Sequence, residues 1–231
     1  MMKRILFIDN SVDDIYHPLD HFKGIFYLPY DVVHASSEVF PDDLSKYSHI
    51  VLSGSFASTL KNYSWQVRER KFIRKAADQG KVMMGVCHGH QLMGQAFFGP
   101  DAVGTRDHAE IGWPDIEVLE DDPLFGKSNT FVNAFSYHYD EVRKVDTGMA
   151  DVIARSKECN VLAFRMKNRP VWGIQPHFEL GYLQALALMD QIMGPGNPVK
   201  KSFITDVAKH PKDSGWIFPL FRSFQETDPL G

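Results

Sequence analysis

Cys87 stands between small residues, in the segment Gly-Val-Cys-His-Gly of residues 85–89. A short apolar run over residues 82–86 is typical of a strand, and the residues from Gln91 onward can begin a helix. We therefore predict a sharp turn from strand to helix, in which small neighbours make room for a strained backbone at a nucleophile. The helix N-terminus would bring unpaired N–H groups close to the sulfur and favour its thiolate form.

Two other roles for Cys87 are compatible with this segment. Free cysteine is commonly a small, buried apolar residue, so a purely structural role is one alternative. Cys87, His88 and His90 also carry metal-ligating atoms, which makes a metal site the other alternative. No second cluster of cysteine and histidine in the sequence completes a set of four ligands for such a site.

The best-placed base for a cysteine nucleophile is His177. It follows an apolar run over residues 171–174, and Glu179 lies two residues further on. In extended backbone these two side chains would point to the same side, so Glu179 could orient the imidazole. The chain has 10 histidines, and a His-x-Glu pair alone is as compatible with a solvated or structural pair. The prediction depends on its combination with the cysteine segment.

Small residues also follow the apolar run of residues 49–52, in the sequence Ser-Gly-Ser of residues 53–55. They allow the backbone to approach a ligand closely. The N–H groups of Gly54 and Ser55, with the amide of His88, are candidates for an oxyanion hole. An ordinary Gly-Ser loop is the alternative. The segment lacks the Gly and Lys-Ser/Thr spacing of a nucleotide-phosphate loop.

The elements that must position these residues alternate between short apolar runs and helical stretches. Strands are predicted at residues 5–8, 49–52, 82–86, 115–119, 161–164 and 171–174. Helices are predicted over residues 65–79 and 179–193. Strand, helix, strand in this order is typical of a parallel sheet. The sequence pattern of residues 102–139 predicts antiparallel strands and loops that are inserted on that sheet.

Composition excludes several classes of protein. The chain has 231 residues, 44% hydrophobic and 23% charged, and a net charge of −4, which argues against a strongly basic nucleic-acid-binding surface. No apolar run reaches the roughly 18 residues of a membrane span, and the first run is too short for a signal peptide. Two cysteines, Cys87 and Cys159, suit a reducing cytoplasm better than a disulfide framework.

We predict one domain over residues 1–198 and a C-terminal extension over residues 199–231. The Gly- and Pro-rich residues 194–198 mark the boundary. Within the extension, four apolar residues share one helical face: Ile217, Leu220, Phe221 and Phe224. We expect this helix to pack on the domain, and a partner-docking segment or lid is the alternative.

The cysteine and histidine segments together resemble the class I glutamine amidotransferase family. The family's Gly-x-Cys-x-Gly-x-Gln elbow is matched at residues 85–91, and its late Gly-x-Gln-x-His-x-Glu motif at residues 173–179. Its early Ser-Gly loop is matched at residues 53–54, and its His-x-Asp element by His138 and Asp140. The order and spacing of these four motifs hold across residues 3 to about 193, a joint match that is highly specific.

One further segment resembles stand-alone members of the family, which have no fused synthetase. The Glu-Ile-Gly-Trp run of residues 110–113 resembles such members. The chain is also similar to the amidotransferase domain of GMP synthetase. Because a synthetase domain does not fit in the chain, the resemblance implies that one possible partner is a separate, ammonia-accepting synthetase subunit.

Three segments of the chain depart from the family pattern. Pro176 and Phe178 are exchanged relative to the family's Phe before and Pro after the late histidine, which bears on how Glu179 is presented. Residues 54–56 read Gly-Ser-Phe instead of Gly-Gly-Pro, which resembles γ-glutamyl peptidase members and changes the demands on the loop backbone. Tyr137 replaces a residue that is commonly Ser, so the pocket for the substrate's amino-acid end differs.

The fold that the resemblance implies is a three-layer α/β/α domain of flavodoxin-like type, with a mainly parallel central sheet and a nucleophile elbow. The implied reaction is attack by Cys87 on the γ-carbonyl of L-glutamine or another γ-glutamyl compound. His177 and Glu179 would complete the triad, and a γ-glutamyl thioester would form as ammonia leaves. The residues implied near the substrate's amino-acid end are Gln91, Tyr137 and His138.

Three functions remain open from the sequence. The first is a glutamine amidotransferase or glutaminase, and the second is a γ-glutamyl peptidase that acts on γ-glutamyl peptides. The third is a non-catalytic regulatory module with the same fold, which the intact Cys-His-Glu set disfavours. The implied chemistry requires no metal or organic cofactor, and neither nucleic acid nor a membrane is expected as a partner.

Overall fold

The computed structural model describes residues 2–192 and 214–230. Its strands are β1 (Ile5–Asp9), β2 (Tyr30–His34), β3 (His49–Leu52), β4 (Val82–Val86), β5 (Val103–Gly112), β6 (Asp115–Val118), β7 (Thr130–Asn133), β8 (Ser136–Val142), β9 (Ala150–Arg155), β10 (Ala163–Met166) and β11 (Val171–Ile174). Its α-helices are α1 (Pro18–Phe22), α2 (Ser64–Asp78), α3 (His88–Phe98), α4 (Tyr182–Ile192) and α5 (Ile217–Glu226).

Across these two ranges, nine strands form one sheet in the order β2-β1-β3-β4-β11-β10-β9-β6-β7. The first five strands in this order are parallel. The other four extend the sheet by antiparallel pairing. Strands β5 and β8 form a separate antiparallel ribbon. The predicted α/β sheet is confirmed, and its parallel half contains the strands that lead to the Cys87 and His177 segments.

Helices cover both faces of the sheet. In β1, Ile5 and Phe7 belong to an apolar cluster that includes residues of α5, whereas Leu6 and Ile8 belong to a second cluster with residues of α2 and α3. Because successive side chains of a strand point to opposite faces, the two clusters lie on opposite sides of the sheet. The result is the expected three-layer arrangement. None of the described helices is long and apolar enough to cross a membrane.

Two predicted elements differ from the structure at their ends. The strand predicted over residues 161–164 begins at Ala163, where a register shift against β9 lies between Ala163 and Phe164. The helix predicted over residues 179–193 begins at Tyr182, because the residues before it form a turn. Its predicted last residue, Met193, lies outside the described residues.

Helix α5 packs against the sheet with the apolar face that its sequence predicts. Leu220, Phe221 and Phe224 are fully buried. Gln225 adds polar contacts, since its Oε1 accepts hydrogen bonds from the backbone N–H groups of Tyr27 and Leu28. The predicted boundary between domain and extension, at residues 198 and 199, lies outside the described residues and stays a prediction.

Replacing Phe221 by Ala should lower the free energy of unfolding by about 3–5 kcal/mol, the usual cost of removing a buried phenylalanine ring. Phe218→Ala is the matched control, because Phe218 lies on the same helix with 67% of its surface exposed. Its effect should stay within about 0.5 kcal/mol. Urea denaturation followed by circular dichroism measures both. Equal effects of the two substitutions would contradict the packing described for α5.

Candidate active site

Cys87 has a strained backbone conformation between β4 and α3. Its φ is 50° and its ψ is −102°, a region that L-amino acids rarely occupy. Strand β4 ends at Val86, and α3 begins at His88 instead of at the predicted Gln91. Cys87 therefore directly precedes the first helical residue, where N–H groups have no partner within the helix.

Two glycines permit this elbow. A Cβ atom on Gly89 would lie 2.5 Å from the carbonyl oxygen of Leu52, and one on Gly85 would lie 2.6 Å from the carbonyl of Gly89. Real Cβ atoms essentially never come so close to backbone atoms. The backbone of the elbow is also tied to the sheet, since the Cys87 N–H donates to the Ile174 carbonyl over 2.8 Å. Larger residues at 85 or 89 would push α3 away from the strands.

His177 and Glu179 form a buried ion pair beside Cys87. Nδ1 of His177 lies 2.6 Å from Oε1 of Glu179. His177 and Cys87 line the same small cavity, and their side chains interact directly. With Nδ1 engaged by Glu179, Nε2 is the nitrogen available to the cysteine. The structure thus brings together the three residues that the sequence analysis singled out as a triad.

The backbone that pairs His177 with Glu179 differs from the expected extended segment. The N–H of His177 donates to the Phe135 carbonyl over 2.7 Å in an isolated bridge, and Phe178 and Glu179 then form a turn. The expectation of extended backbone over residues 177–179 was therefore wrong. The turn, instead of strand alternation, directs the carboxylate back to the imidazole.

The charges of the site favour an imidazolium at neutral pH. Burial opposes a charge on His177, but the negative charges of Glu179 and Cys87 outweigh it and raise the pKa of His177 to about 10. Burial also opposes ionisation of Glu179, but the charge and hydrogen bond of His177 lower the pKa of Glu179. His177 therefore carries a positive charge in the small cavity that it shares with Cys87.

Tyr16 is a further member of the site that the sequence analysis did not find. Its hydroxyl donates to Oε1 of Glu179 over 2.8 Å and lies 3.5 Å from Nδ1 of His177. Burial, followed by the charge of Glu179, raises the pKa of Tyr16, so the hydroxyl keeps the proton that it donates. Tyr16 lies in a loop 161 residues before His177, and no local pattern in the sequence indicates the contact.

Gly54 brings the early loop against the base. A Cβ atom on Gly54 would lie 2.9 Å from Cε1 of His177, so a larger residue would displace the ring. Ser55 lines the same small cavity as Cys87 and His177. Neither Gly54 nor Ser55 has a positive φ, so the backbone conformation here does not require a second glycine in place of Ser55.

A cleft of about 370 Å³ adjoins the small cavity at Cys87 and shares Ser55, Phe56 and Tyr137 with it. Residues 55–58 and 137–140, including Asp140, form its walls. The two oxygens of this carboxylate accept hydrogen bonds from the hydroxyls of Ser58, over 2.5 Å, and Thr105, over 2.6 Å. Asp140 therefore joins the early loop to β5 and β8.

Gln91 and Tyr137, which were predicted near the substrate's amino-acid end, both line this cleft. Nε2 of Gln91 donates to the Asp140 carbonyl over 2.8 Å and to Oε1 of Gln175 over 3.2 Å. The carbonyl of Tyr137 lies 3.9 Å from the Cys87 sulfur. The amide nitrogen of Gln91 is thus used to fix β8, which leaves its Oε1 for a ligand.

His138, the third predicted substrate-binding residue, turns its imidazole into the protein. Nε2 lies 2.9 Å from Oε2 of Glu110, and Nδ1 lies 3.1 Å from the Asp140 carbonyl. The residue lines the cleft, but its ring is buried against these two partners. His138 therefore supports the position of Asp140 through its side chain.

Glu110, His138 and Cys159 form a second buried cluster, distinct from the Cys87 site. Their potential ligand atoms lie within 4.8 Å of one another. Glu110 is already paired, through Oε2 with His138 and through Oε1 with the Ser156 hydroxyl at 2.6 Å. Burial and the charge of Glu110 raise the pKa of Cys159 far above its usual value. Cys159 is therefore a protonated, buried thiol.

The metal alternative for Cys87 finds no support in the described part of the chain. There, the second cluster is the only group of three such side chains with ligand atoms close enough for one ion. Cys87 forms no such group with His88 and His90. The rings of both histidines are buried, and burial lowers the pKa of His88 to about 4 and that of His90 to about 3.

The family model for glutamine amidotransferase class-I matches residues 11–182 of the chain. Among curated proteins, a glutamine-hydrolyzing GMP synthase subunit of Pyrococcus abyssi is 32% identical over 102 residues, 44% of this chain and 53% of the relative. The corresponding subunit of Methanopyrus kandleri is 28% identical over 183 residues, 78% of this chain and 91% of the relative. The chain spans about half the length of several curated relatives that it matches.

Solved structures share the fold over nearly the whole chain. A glutamine amido transferase from Methylobacillus flagellatus superposes with a TM-score of 0.77 at 20% identity, covering 100% of this chain and 98% of that one. A glutamine amidotransferase from Thermotoga maritima gives a TM-score of 0.74 at 18% identity, covering 98% and 97%. At these identities the similarity establishes the α/β fold.

Replacing Glu179 by Gln should lower the pKa of His177 by about one unit or more, because a neutral amide does not stabilise the imidazolium. NMR titration of the histidine ring resonances measures the shift. Glu226→Gln is the control, because Glu226 pairs with Arg222 on the solvent-exposed side of α5 and should leave His177 unchanged. An unaltered His177 titration in the Glu179 variant would contradict the ion pair described here.

Proposed function

The chain belongs to the class I glutamine amidotransferase family, and from this we propose that it hydrolyses the γ-amide of L-glutamine. The proposed triad consists of Cys87 as nucleophile, His177 as acid and base, and Glu179 as its orienting carboxylate. The observation that supports the proposal is the strained elbow, whose Cys87 lines both an open cleft and the small cavity that contains His177.

The first half of the reaction forms a covalent intermediate. The Cys87 thiolate attacks the γ-carbonyl carbon, and the carbonyl oxygen becomes an oxyanion that the N–H groups of Ser55 and His88 stabilise. One such donor is typically worth about 2.7–4 kcal/mol of the barrier. The His177 imidazolium then gives its proton to the amide nitrogen, the C–N bond breaks, and ammonia leaves a γ-glutamyl thioester.

The second half regenerates the thiolate. Neutral His177 removes a proton from a water molecule, whose oxygen attacks the thioester carbonyl. The C–S bond breaks, glutamate leaves, and Cys87 recovers its negative charge next to the reprotonated His177. Glu179, held by Tyr16, keeps the imidazole oriented through both steps. The side chains and backbone of the chain supply every group in this scheme, so it uses no metal or organic cofactor.

The cleft beside Cys87 suits the amino-acid end of glutamine. The Asp140 carboxylate complements the charge of an α-ammonium group, and Oε1 of Gln91 offers a second acceptor. We assign the Tyr137 and His138 backbone to the same subsite. His177 lines the adjoining small cavity together with Cys87, so we assign the leaving nitrogen to that cavity, where His177 can protonate it.

The small cavity that contains His177 favours glutamine over larger γ-glutamyl compounds as the substrate. It measures about 20 Å³ and is lined by aromatic and aliphatic groups that include Tyr16, Phe56, Tyr137 and Leu188. A single water-sized molecule needs roughly 10–15 Å³ of such space. This space suits a leaving group the size of ammonia better than the amino-acid leaving group of a γ-glutamyl peptide. The Gly-Ser sequence of residues 54–55 is the feature that favours a γ-glutamyl peptidase, and the cavity outweighs it.

We further propose that the ammonia passes to a separate protein. Several relatives are named as subunits of a glutamine-hydrolyzing GMP synthase, which makes an ammonia-accepting synthetase subunit the partner class to seek. Glutamine hydrolysis by the triad can be measured without knowing which protein receives the ammonia. Hydrolysis by the isolated chain is therefore tested first.

Cys87→Ala should reduce ammonia release from L-glutamine by about a thousandfold or more, since removing a covalent nucleophile typically leaves only background catalysis. Cys159→Ala is the matched control, because it removes the other free, buried thiol and should retain near wild-type activity. A coupled glutamate dehydrogenase assay measures release. Activity that depended on Cys159 instead of Cys87 would overturn the assignment of the nucleophile.

Leu188→Ala should raise kcat/KM for γ-glutamyl amides that carry a substituent on nitrogen by about tenfold relative to glutamine, because it enlarges the leaving-group cavity. γ-Glutamyl-p-nitroanilide is a suitable chromogenic probe. Leu183→Ala is the control on the same helix, since Leu183 is 77% exposed. Wild-type enzyme that preferred the substituted probe to glutamine would contradict the proposed substrate and favour the peptidase alternative.

A further inference from the structure

We propose that His88 is a positioning residue. Its side chain holds residues 53–58, here called the oxyanion loop, in a fixed position relative to Cys87. The proposal rests on the proposed glutamine hydrolysis and extends it. His88 was singled out above for its backbone N–H, and its imidazole has had no role in the reaction. That imidazole reaches from the first turn of α3 to the backbone of the loop that carries Ser55.

The contact is a single, well-defined hydrogen bond. Nδ1 of His88 lies 2.8 Å from the carbonyl oxygen of Ala57. A carbonyl only accepts, so Nδ1 must carry the proton. Burial lowers the pKa of His88 to about 4, and the ring therefore stays neutral at the pH of glutamine hydrolysis. The hydrogen bond to Ala57 thus selects one neutral tautomer and keeps it.

Packing fixes the direction of this donor. His88 is 1% exposed, and its ring stacks on Trp65 with 5.4 Å between ring centroids and 27° between planes. Nε2 has no hydrogen-bond partner in the described part of the chain. The buried ring therefore makes one polar contact, and that contact is to the loop.

The rest of the loop is anchored at its two ends. At the start, the Gly89 N–H donates to the Ser53 carbonyl over 3.2 Å, and at the end, Nε2 of Gln66 donates to the Ser58 carbonyl over 3.1 Å. The other hydrogen bonds of residues 54–57 lie within the loop: the Ser53 hydroxyl donates to the Gly54 carbonyl, and the Ser55 hydroxyl accepts from the Ala57 N–H. Among the described residues, His88 alone connects the main chain of residues 54–57 to another element by a hydrogen bond.

One residue thus connects the two proposed oxyanion donors. The backbone N–H of His88 is the first donor, and its side chain holds the segment that carries the second, at Ser55. Catalysis by such donors depends on their placement at the developing oxyanion, so a loop that drifts by a fraction of an ångström loses transition-state binding. Asp140 and Gln91, the proposed partners of the α-ammonium group, are also held by contacts outside the loop, from Thr105 to Asp140 and between Gln91 and the Asp140 carbonyl. We therefore expect a larger effect on kcat than on KM.

The test compares two isosteric replacements. His88→Asn keeps an N–H donor near the position of Nδ1, whereas His88→Leu has nearly the same shape and no donor, and both lose the ring stacked on Trp65. We expect His88→Leu to lower kcat about 10- to 100-fold, a part of the 100- to 1000-fold cost of removing an oxyanion donor outright. KM should change less than about threefold, and His88→Asn should recover most of the lost kcat.

Hydrogen exchange of the amides of residues 54–58 supplies a readout that does not need activity. Exchange there should be faster in His88→Leu than in wild type, and close to wild type in His88→Asn. If wild-type protein does not hydrolyse glutamine, the proposed function fails, while exchange still decides whether His88 holds the loop. Equal kcat and equal exchange in the Leu and Asn variants would overturn the proposal. His88→Phe, which keeps a ring on Trp65 without a donor, replaces His88→Leu if that variant does not fold.

Discussion

The backbone of Cys87, held at a φ of 50° between β4 and α3, is the constraint on which the rest of the site depends. Such a conformation costs of order 1–3 kcal/mol and persists only where its surroundings fix it. Two contacts fix this backbone conformation. Gly89 lies close to Leu52 of β3, and the Cys87 N–H donates a hydrogen bond to the carbonyl of Ile174 in β11. The conformation of the elbow therefore depends on three adjacent strands, β3, β4 and β11.

The same three strands assemble the other parts of the site. Strand β4 lies between β3 and β11 in parallel register, with Leu52 opposite Gly85 and Ile174 opposite Val86. The loops that follow these strands consequently leave the sheet at one edge, side by side. They carry the oxyanion loop, the elbow and the His177 turn. This is the carboxyl edge at which open α/β sheets place their ligands.

What the sequence could predict, and what it could not, follows from the range of the interactions. The elbow and the Ser-Gly loop are visible in the sequence because small residues at fixed spacing are local requirements. The sequence did not indicate that α3 begins at His88, because glycine at position 89 is a poor helix former. In the structure the close approach of Gly89 to β3 outweighs the low helix propensity of glycine. Tyr16 and the Glu110–His138 pair depend on contacts across 161 and 28 residues, which no local pattern encodes.

The most direct test of the account is to trap the covalent intermediate. Protein mixed with L-glutamine and quenched with acid within milliseconds to seconds would be digested and examined by mass spectrometry. The account predicts a γ-glutamyl group on the peptide that contains Cys87, and none on the peptide that contains Cys159. Ammonia release without any adduct on Cys87, or an adduct on Cys159 alone, would contradict it.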